Sequence, residues 1–213
     1  MSVSAKICGV TTPEAVRAAL DGGAAYLGFM FFAASPRNLG IEAAARLAEP
    51  VRGRAKIVAI AVDPSDAELD RIAAVLKPDF IQLHGRETPS RVREAAVRSG
   101  AAVIKAVAVG EAADLDAAAS YETVAEHLMF DARPPKGATQ SGGTGSVFDW
   151  SLLAGRRFRR PWFLAGGLDP WNLAEAVQQS GAKLVDVSSG VERGPGLKDP
   201  ALITAFLDAA RKA

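Results

Sequence analysis

The sequence is poor in the side chains that most often hold metals or form bridges. Its 213 residues include one cysteine, Cys8, and two histidines. That excludes an internal disulfide framework and leaves too few soft ligands for a structural zinc site. Neither sign of charge prevails: 25 Lys and Arg stand against 24 Asp and Glu, so nothing in the balance favours nucleic acid or an anionic membrane as a partner. The longest apolar stretch, Ala24 to Ala34, falls far short of the ~20 residues of a membrane-spanning helix. No basic segment with an apolar one behind it follows Met1, so the expectation is no signal peptide and a cytoplasmic protein. Neither G-x-G-x-x-G nor the P-loop lysine motif occurs, which removes the fingerprints of dinucleotide and P-loop sites. No repeat of about 20 to 50 residues and no low-complexity tract marks a second domain, so residues 1–213 are expected to form one.

What is present is rhythm. Half the chain is hydrophobic, 49%, and 23% is charged, enough for one substantial core. Strand-like runs span Val3–Cys8, Tyr26–Phe31, Lys56–Val62, Phe80–His84, Ala102–Val107, His127–Asp131, Trp162–Ala165 and Leu184–Ser188. Between them lie segments of helical period: Pro13–Asp21, Ile41–Ala48, Asp66–Leu76, Pro89–Ser99, Ala112–Ser120, Asp149–Leu153, Pro170–Ser180 and Pro200–Arg211. Continuous Val/Ile/Leu/Ala strands are those of a parallel sheet covered by helices. Eight βα units in ~200–250 residues predict a closed single-domain (β/α)8 TIM barrel, with an open doubly wound sheet as the competing architecture. One segment breaks the rhythm: "ARPPKGATQSGGTGSVF", between Asp131 and Asp149, is a long Gly/Pro/Ser/Thr loop. A loop of that length is usually a lid or simply disordered, and a lid is the reading preferred here.

Barrel active sites form at the C-terminal ends of the strands. Cys8, Arg37, His84, Asp131, Gly166-Gly167 and Ser188-Ser189-Gly190 all fall there. The glycines of "LAGGLDP" and the residues of "DVSSGVE" follow strands seven and eight, the usual phosphate site of this fold. Strand eight neighbours strand one in a closed barrel, so a phosphate held there lies between Cys8 and Asp131. A thiol and a carboxylate on opposite sides of a small sugar phosphate suit one general base and one general acid. A buried structural thiol and a turn aspartate before Pro134 are the competing readings. Lys6 shares a strand face with Cys8 and is placed to lower its pKa, unless it faces solvent. Arg37 is a natural clamp for a planar carboxylate, or else a surface arginine. His84, on one face with Gln82, is balanced between substrate contact and structural hydrogen bond, and Asp186 points with Ser188 to the barrel mouth. His127 begins its strand at the far end and receives no role. "GRRFRRP", residues 155 to 161, precedes strand seven, so a solvated charge run is preferred to a nucleic-acid patch.

The stretches "KICGVT", "FMFFAASPRNL", "IQLHGRE", "FDARPP", "SGGTGSVFDW", "LAGGLDPWNL" and "VDVSSGVERGPGLKDP" run in order from Lys6 to Pro200. In that set and order the chain resembles the phosphoribosylanthranilate isomerases of tryptophan biosynthesis. The resemblance implies an aldose–ketose Amadori rearrangement without metal or organic cofactor, on a small-molecule substrate, by a monomer or homodimer. It makes Asp131 the acid that protonates the ribose ring oxygen and Cys8 the base that takes the proton beside the imine. It gives Arg37 the anthranilate carboxylate, and the phosphate to Gly143, Gly145, Gly166, Gly167, Ser188, Ser189 and Gly190; His84 and Asp186, from their place at the barrel mouth, are the further expected substrate contacts. A histidine-pathway isomerase of the same fold would typically carry an aspartate where Cys8 stands. A non-catalytic phosphate-binding barrel would have no need of both acid and base.

Overall fold

The computed structural model describes residues 3–133 and 145–213. Gly143 and most of the expected lid lie outside the described residues. Eight parallel strands close in sequence order, β1 (Ser4–Ile7), β2 (Tyr26–Phe31), β3 (Lys56–Ala61), β4 (Phe80–Leu83), β5 (Ala102–Val109), β6 (His127–Ala132), β7 (Trp162–Leu164) and β8 (Leu184–Val187), with β8 pairing back onto β1. The barrel is therefore closed, and the open sheet is excluded. A short hairpin of β9 (Glu192–Gly194) and β10 (Leu197–Lys198) follows β8.

Among the described residues six α-helices surround the barrel: α1 (Pro13–Asp21), α2 (Ile41–Ala48), α3 (Asp66–Arg71), α4 (Pro89–Ser99), α5 (Leu173–Ser180) and α6 (Pro200–Lys212). Three share one start signal, an oxygen-bearing cap followed by proline. Thr12 Oγ1 accepts from Ala15 N at 3.3 Å, Thr88 Oγ1 from Arg91 N at 3.3 Å, and Asp199 Oδ1 from Ala201 N at 2.8 Å. Each fills an orphan donor, and the proline needs none.

Several expected helices come out differently. Ala112–Ser120 is a 3-10 helix. Its buried residues, Leu115 and Ala118, are three apart, the spacing a 3-10 turn stacks on one side. Asp149–Leu153 shrinks to a 3-10 turn, Trp150–Leu153, capped by Asp149. The 66–76 helix widens to i→i+5 turns from Ile72. The helix expected from Pro170 begins only at Leu173, because Asp169 Oδ1 binds the Trp171 and Asn172 amides at 2.8 and 2.9 Å and holds the chain in a turn.

The strand interior sorts by height. Tyr26, Phe80, His127 and Phe163 pack edge to face or tilted at the N-terminal end, with Tyr26–Phe163 centroids 5.1 Å apart. His127 thus plugs the barrel floor, away from the mouth. Above lie Val58, Ile60, Ile104, Ala106 and Met129, and polar side chains begin only towards the strand ends. The 155–161 run is neutralised by the 112–126 connection, with Arg156–Asp116 at 3.2 Å and Arg160–Glu126 at 3.4 Å. It is a solvated charge run.

Candidate active site

Several expected strands end one residue early. Cys8, His84 and Ser188 each stand just past their strands, where side chains turn to the mouth. Asp131 lies inside β6 and Asp186 inside β8, both facing inward by alternation. With Arg37 from the β2–α2 loop they line one solvent-open pocket at the barrel mouth. Met30 and Phe32 supply an apolar wall.

On one wall His84 Nε2 lies 3.1 Å from Asp131 Oδ2, and Gln82 Nε2 is 3.2 Å from His84 Nδ1. With the amide nitrogen donating, Nδ1 accepts and Nε2 carries the proton offered to Asp131. His84 therefore belongs to Asp131 first. The alternation that put Gln82 and His84 on one face was the signal for half of this chain of contacts; its end at Asp131 depends on barrel closure.

On the other wall Cys8 is buried and its backbone is fixed: its N–H donates to Val187 O at 2.8 Å, and Ser188 Oγ donates to its carbonyl at 3.2 Å. Burial, and then the Asp186 carboxylate, push the thiol above its ordinary pKa; Lys6, Lys198 and Arg37 pull the other way. Lys6 does not face solvent. It is fully buried, 2.7 Å from Asp186 Oδ1, and so its partnership with Cys8 is shared with a carboxylate. Asp186 lines the pocket while holding that ammonium.

Arg37 is 4% exposed and is not a surface arginine. Its stem crosses Gly9, where a Cβ would stand 2.5 Å from Arg37 Cδ; the glycine after Cys8 is what lets the guanidinium reach the pocket. Glu192 grips the Nε–Nη2 side at 2.7 and 2.9 Å. Glu192 also accepts from Lys198 Nζ at 2.6 Å, and Lys198 donates to Ser188 O at 2.9 Å. The two cations hold the Glu192 carboxyl below its usual range against the effect of burial, while burial brings Lys198 down despite Glu192. Sequence reasoning missed Glu192 and Lys198. Their signal was "VERGPGLK", a Glu and a Lys flanking a tight turn.

Gly145, Gly166, Gly167, Ser188 and Ser189 meet at the pocket. At Gly190, beside them, Leu168 O occupies the space of a Cβ at 1.9 Å, so this glycine lets loop eight lie against loop seven. Gly166 has φ +86, and a Cβ there would stand 2.5 Å from Ala132 N and 3.0 Å from Asp131 Oδ1. Gly166→Ala should cost more than about 1 kcal/mol of stability, through left-handed strain and a backbone clash. A denaturant midpoint equal to wild type would show that the loop can move aside.

Among the described residues, no group of three or more His, Cys, Asp and Glu gathers as metal ligands would. No helix there is long and apolar enough to cross a membrane.

The sequence model of the N-(5'phosphoribosyl)anthranilate (PRA) isomerase family matches residues 5–209. The chain belongs to this family. It is 65% identical to the N-(5'-phosphoribosyl)anthranilate isomerase of Caulobacter vibrioides, over 100% of this chain and 99% of that one. Among solved structures it is similar to the PRA isomerase of Thermotoga maritima, with TM-score 0.88, 33% identity, and 99% and 100% of the two chains covered. It is also similar to a PRA isomerase in complex with reduced 1-(O-carboxyphenylamino)-1-deoxyribulose 5-phosphate, with TM-score 0.85, 32% identity, and 99% and 100% covered. Membership of the PRA isomerases accounts for the closed barrel and the motif order together.

Proposed function

We infer that the protein isomerises N-(5'-phosphoribosyl)anthranilate to carboxyphenylamino-deoxyribulose phosphate, a step of tryptophan biosynthesis, by general acid–base catalysis in the cytoplasm. Family membership supports the substrate. The observation that carries the mechanism is the pocket with His84-bound Asp131 on one wall and Cys8 on the other, between glycine–serine loops.

Proton bookkeeping assigns the steps. Asp131 gives a proton to the ribose ring oxygen, and the ring opens to a protonated Schiff base. The Cys8 thiolate takes the proton from C2. An isomerisation consumes no net proton, so both groups must be reset. Asp131 recovers a proton from the C2 hydroxyl as it becomes a carbonyl, and Cys8 returns one at C1. The His84 Nε2–H steadies the Asp131 carboxylate between its two transfers, as a charge-assisted hydrogen bond does. The phosphate is held by Gly145, Gly166, Gly167, Ser188 and Ser189, outside the reacting centre.

The anthranilate carboxylate is assigned to Arg37. Glu192 holds and orients the guanidinium by its Nε–Nη2 side. Lysine cannot reproduce a planar fork held by Glu192. Arg37→Ala and Arg37→Lys should each weaken substrate binding by about 1.5–3 kcal/mol, at least tenfold in affinity. Calorimetric titration of the reduced product analogue, with and without its carboxylate, against wild type and Arg37→Ala tests this. Strong coupling between the two deletions is expected. Simple additivity would mean that the groups do not touch, and the case for anthranilate at this end of the pocket would go with it.

A further inference from the structure

Lys6 is fully buried, 0% exposed, and it sits on the inward face of β1 two residues before Cys8. A buried ion pair is poorly explained by stability, because apolar residues of similar volume usually serve a core as well or better. The Lys6–Asp186 pair, at 2.7 Å, calls for another reason.

The local packing is arranged around that ammonium. β1 and β8 set Lys6 and Asp186 directly opposite each other in register. On the other side β2 carries Gly28, where a Cβ would stand 3.2 Å from Lys6 Nζ and 3.3 Å from Cys8 Cα. The space a side chain would take is shared by Ile60 Cδ1, 2.7 Å from that Cβ, and the lysine head beneath the cysteine. Depth keeps Lys6 from the substrate, so it acts only through its neighbours. A thiolate at Cys8 adds one negative charge to a buried site, and a buried charge needs a counter-ion. The charged groups facing Cys8 are Lys6 from β1, Asp186 from β8, Arg37 from the β2–α2 loop and Lys198 from β10, with Asp131 and His84 on the far wall of the pocket. Arg37 and Lys198 are both engaged by Glu192.

We propose that Lys6 is a positioning residue of the reaction: its ammonium, kept charged by Asp186, is the counter-ion that lets Cys8 exist as a thiolate inside the barrel. Asp186 has two opposed effects. It keeps the buried lysine protonated, and it repels the thiolate. The pair thus sets how readily the base forms. This rests on Cys8 being the base. The two claims separate in experiment, because the state of the thiol can be read without turnover.

The chain has one cysteine, so the rate of iodoacetamide alkylation against pH reports Cys8 alone. In Lys6→Gln the midpoint should rise by at least about one pH unit, the size of a nearby charge's effect, with kcat lowered and KM little changed. In Asp186→Asn the midpoint should fall, and Lys6→Arg should restore the wild-type value. A lysine that only props up the fold would lower stability and leave the midpoint in place. Midpoints within about 0.3 unit of wild type, or shifts in the same direction in both variants, overturn the proposal. Should Lys6→Gln not fold, Asp186→Asn decides: an unchanged or raised midpoint there overturns it. Full turnover in Cys8→Ala would remove the base assignment while leaving the alkylation result to stand.

Discussion

Replacing Cys8 with alanine is expected to lower kcat by roughly 10²–10⁴-fold, the usual share of one acid–base group. The thiol is 6% exposed, more buried than a strand-tip position suggests, so the variant should also lose about 1 kcal/mol of stability, the worth of a small buried group. That cost cannot explain so large a fall in rate. A variant with more than a third of wild-type kcat would return Cys8 to a structural role. The pH dependence follows from its surroundings. Burial and Asp186 raise the thiol's pKa, so the base form is scarce at neutral pH, and kcat/KM should climb with pH into the alkaline range. The sign for stability is the reverse. The fold favours the neutral thiol, a contribution complete below the unfolded thiol pKa and lost as pH rises through the folded one. Activity and stability should therefore diverge above about pH 8.5, the ordinary thiol value.

Asp131→Asn should lower kcat by a similar roughly 10²–10⁴-fold, with KM nearly unchanged. The amide keeps the size of the carboxyl, and its oxygen still accepts from His84 Nε2, which now lies 3.1 Å from Asp131 Oδ2. What it cannot do is donate a carboxylic proton to the ring oxygen. A loss in kcat without a loss in binding is the signature of an interaction made in the transition state. A rise in KM alone would make Asp131 a binding residue and turn attention to Asp186, the next carboxylate in the pocket.

The sequence showed the barrel because its elements are local: continuous apolar strands, helices of period near 3.6, and Thr-Pro or Asp-Pro starts. It also showed which residues reach the mouth, since Cys8, His84 and Ser188 are located by the ends of their strands. Pairing was harder to see. Lys6 with Asp186, and Arg37 with Glu192, lie 180 and 155 positions apart, and only closure of β8 onto β1 brings them together. Arg37 was readable as a candidate carboxylate clamp or a surface arginine, whereas the carboxylate of the chain itself that buries and holds it was not readable. Gly190 shows a related limit: a glycine beside two serines has the composition of an anion loop, and its close stacking against Leu168 was not visible. The 3-10 connection at Ala112–Ser120 was missed for a local reason, since alanine-rich segments satisfy either helical period.

The central claim is that this pocket isomerises N-(5'-phosphoribosyl)anthranilate, and turnover of that compound by the purified chain, followed through loss of its fluorescence, tests it most directly. The account predicts catalysed loss by wild type without added metal or cofactor, and loss slowed by at least about a hundredfold in Cys8→Ala and in Asp131→Asn. A folded wild-type protein that leaves the fluorescence unchanged would contradict it.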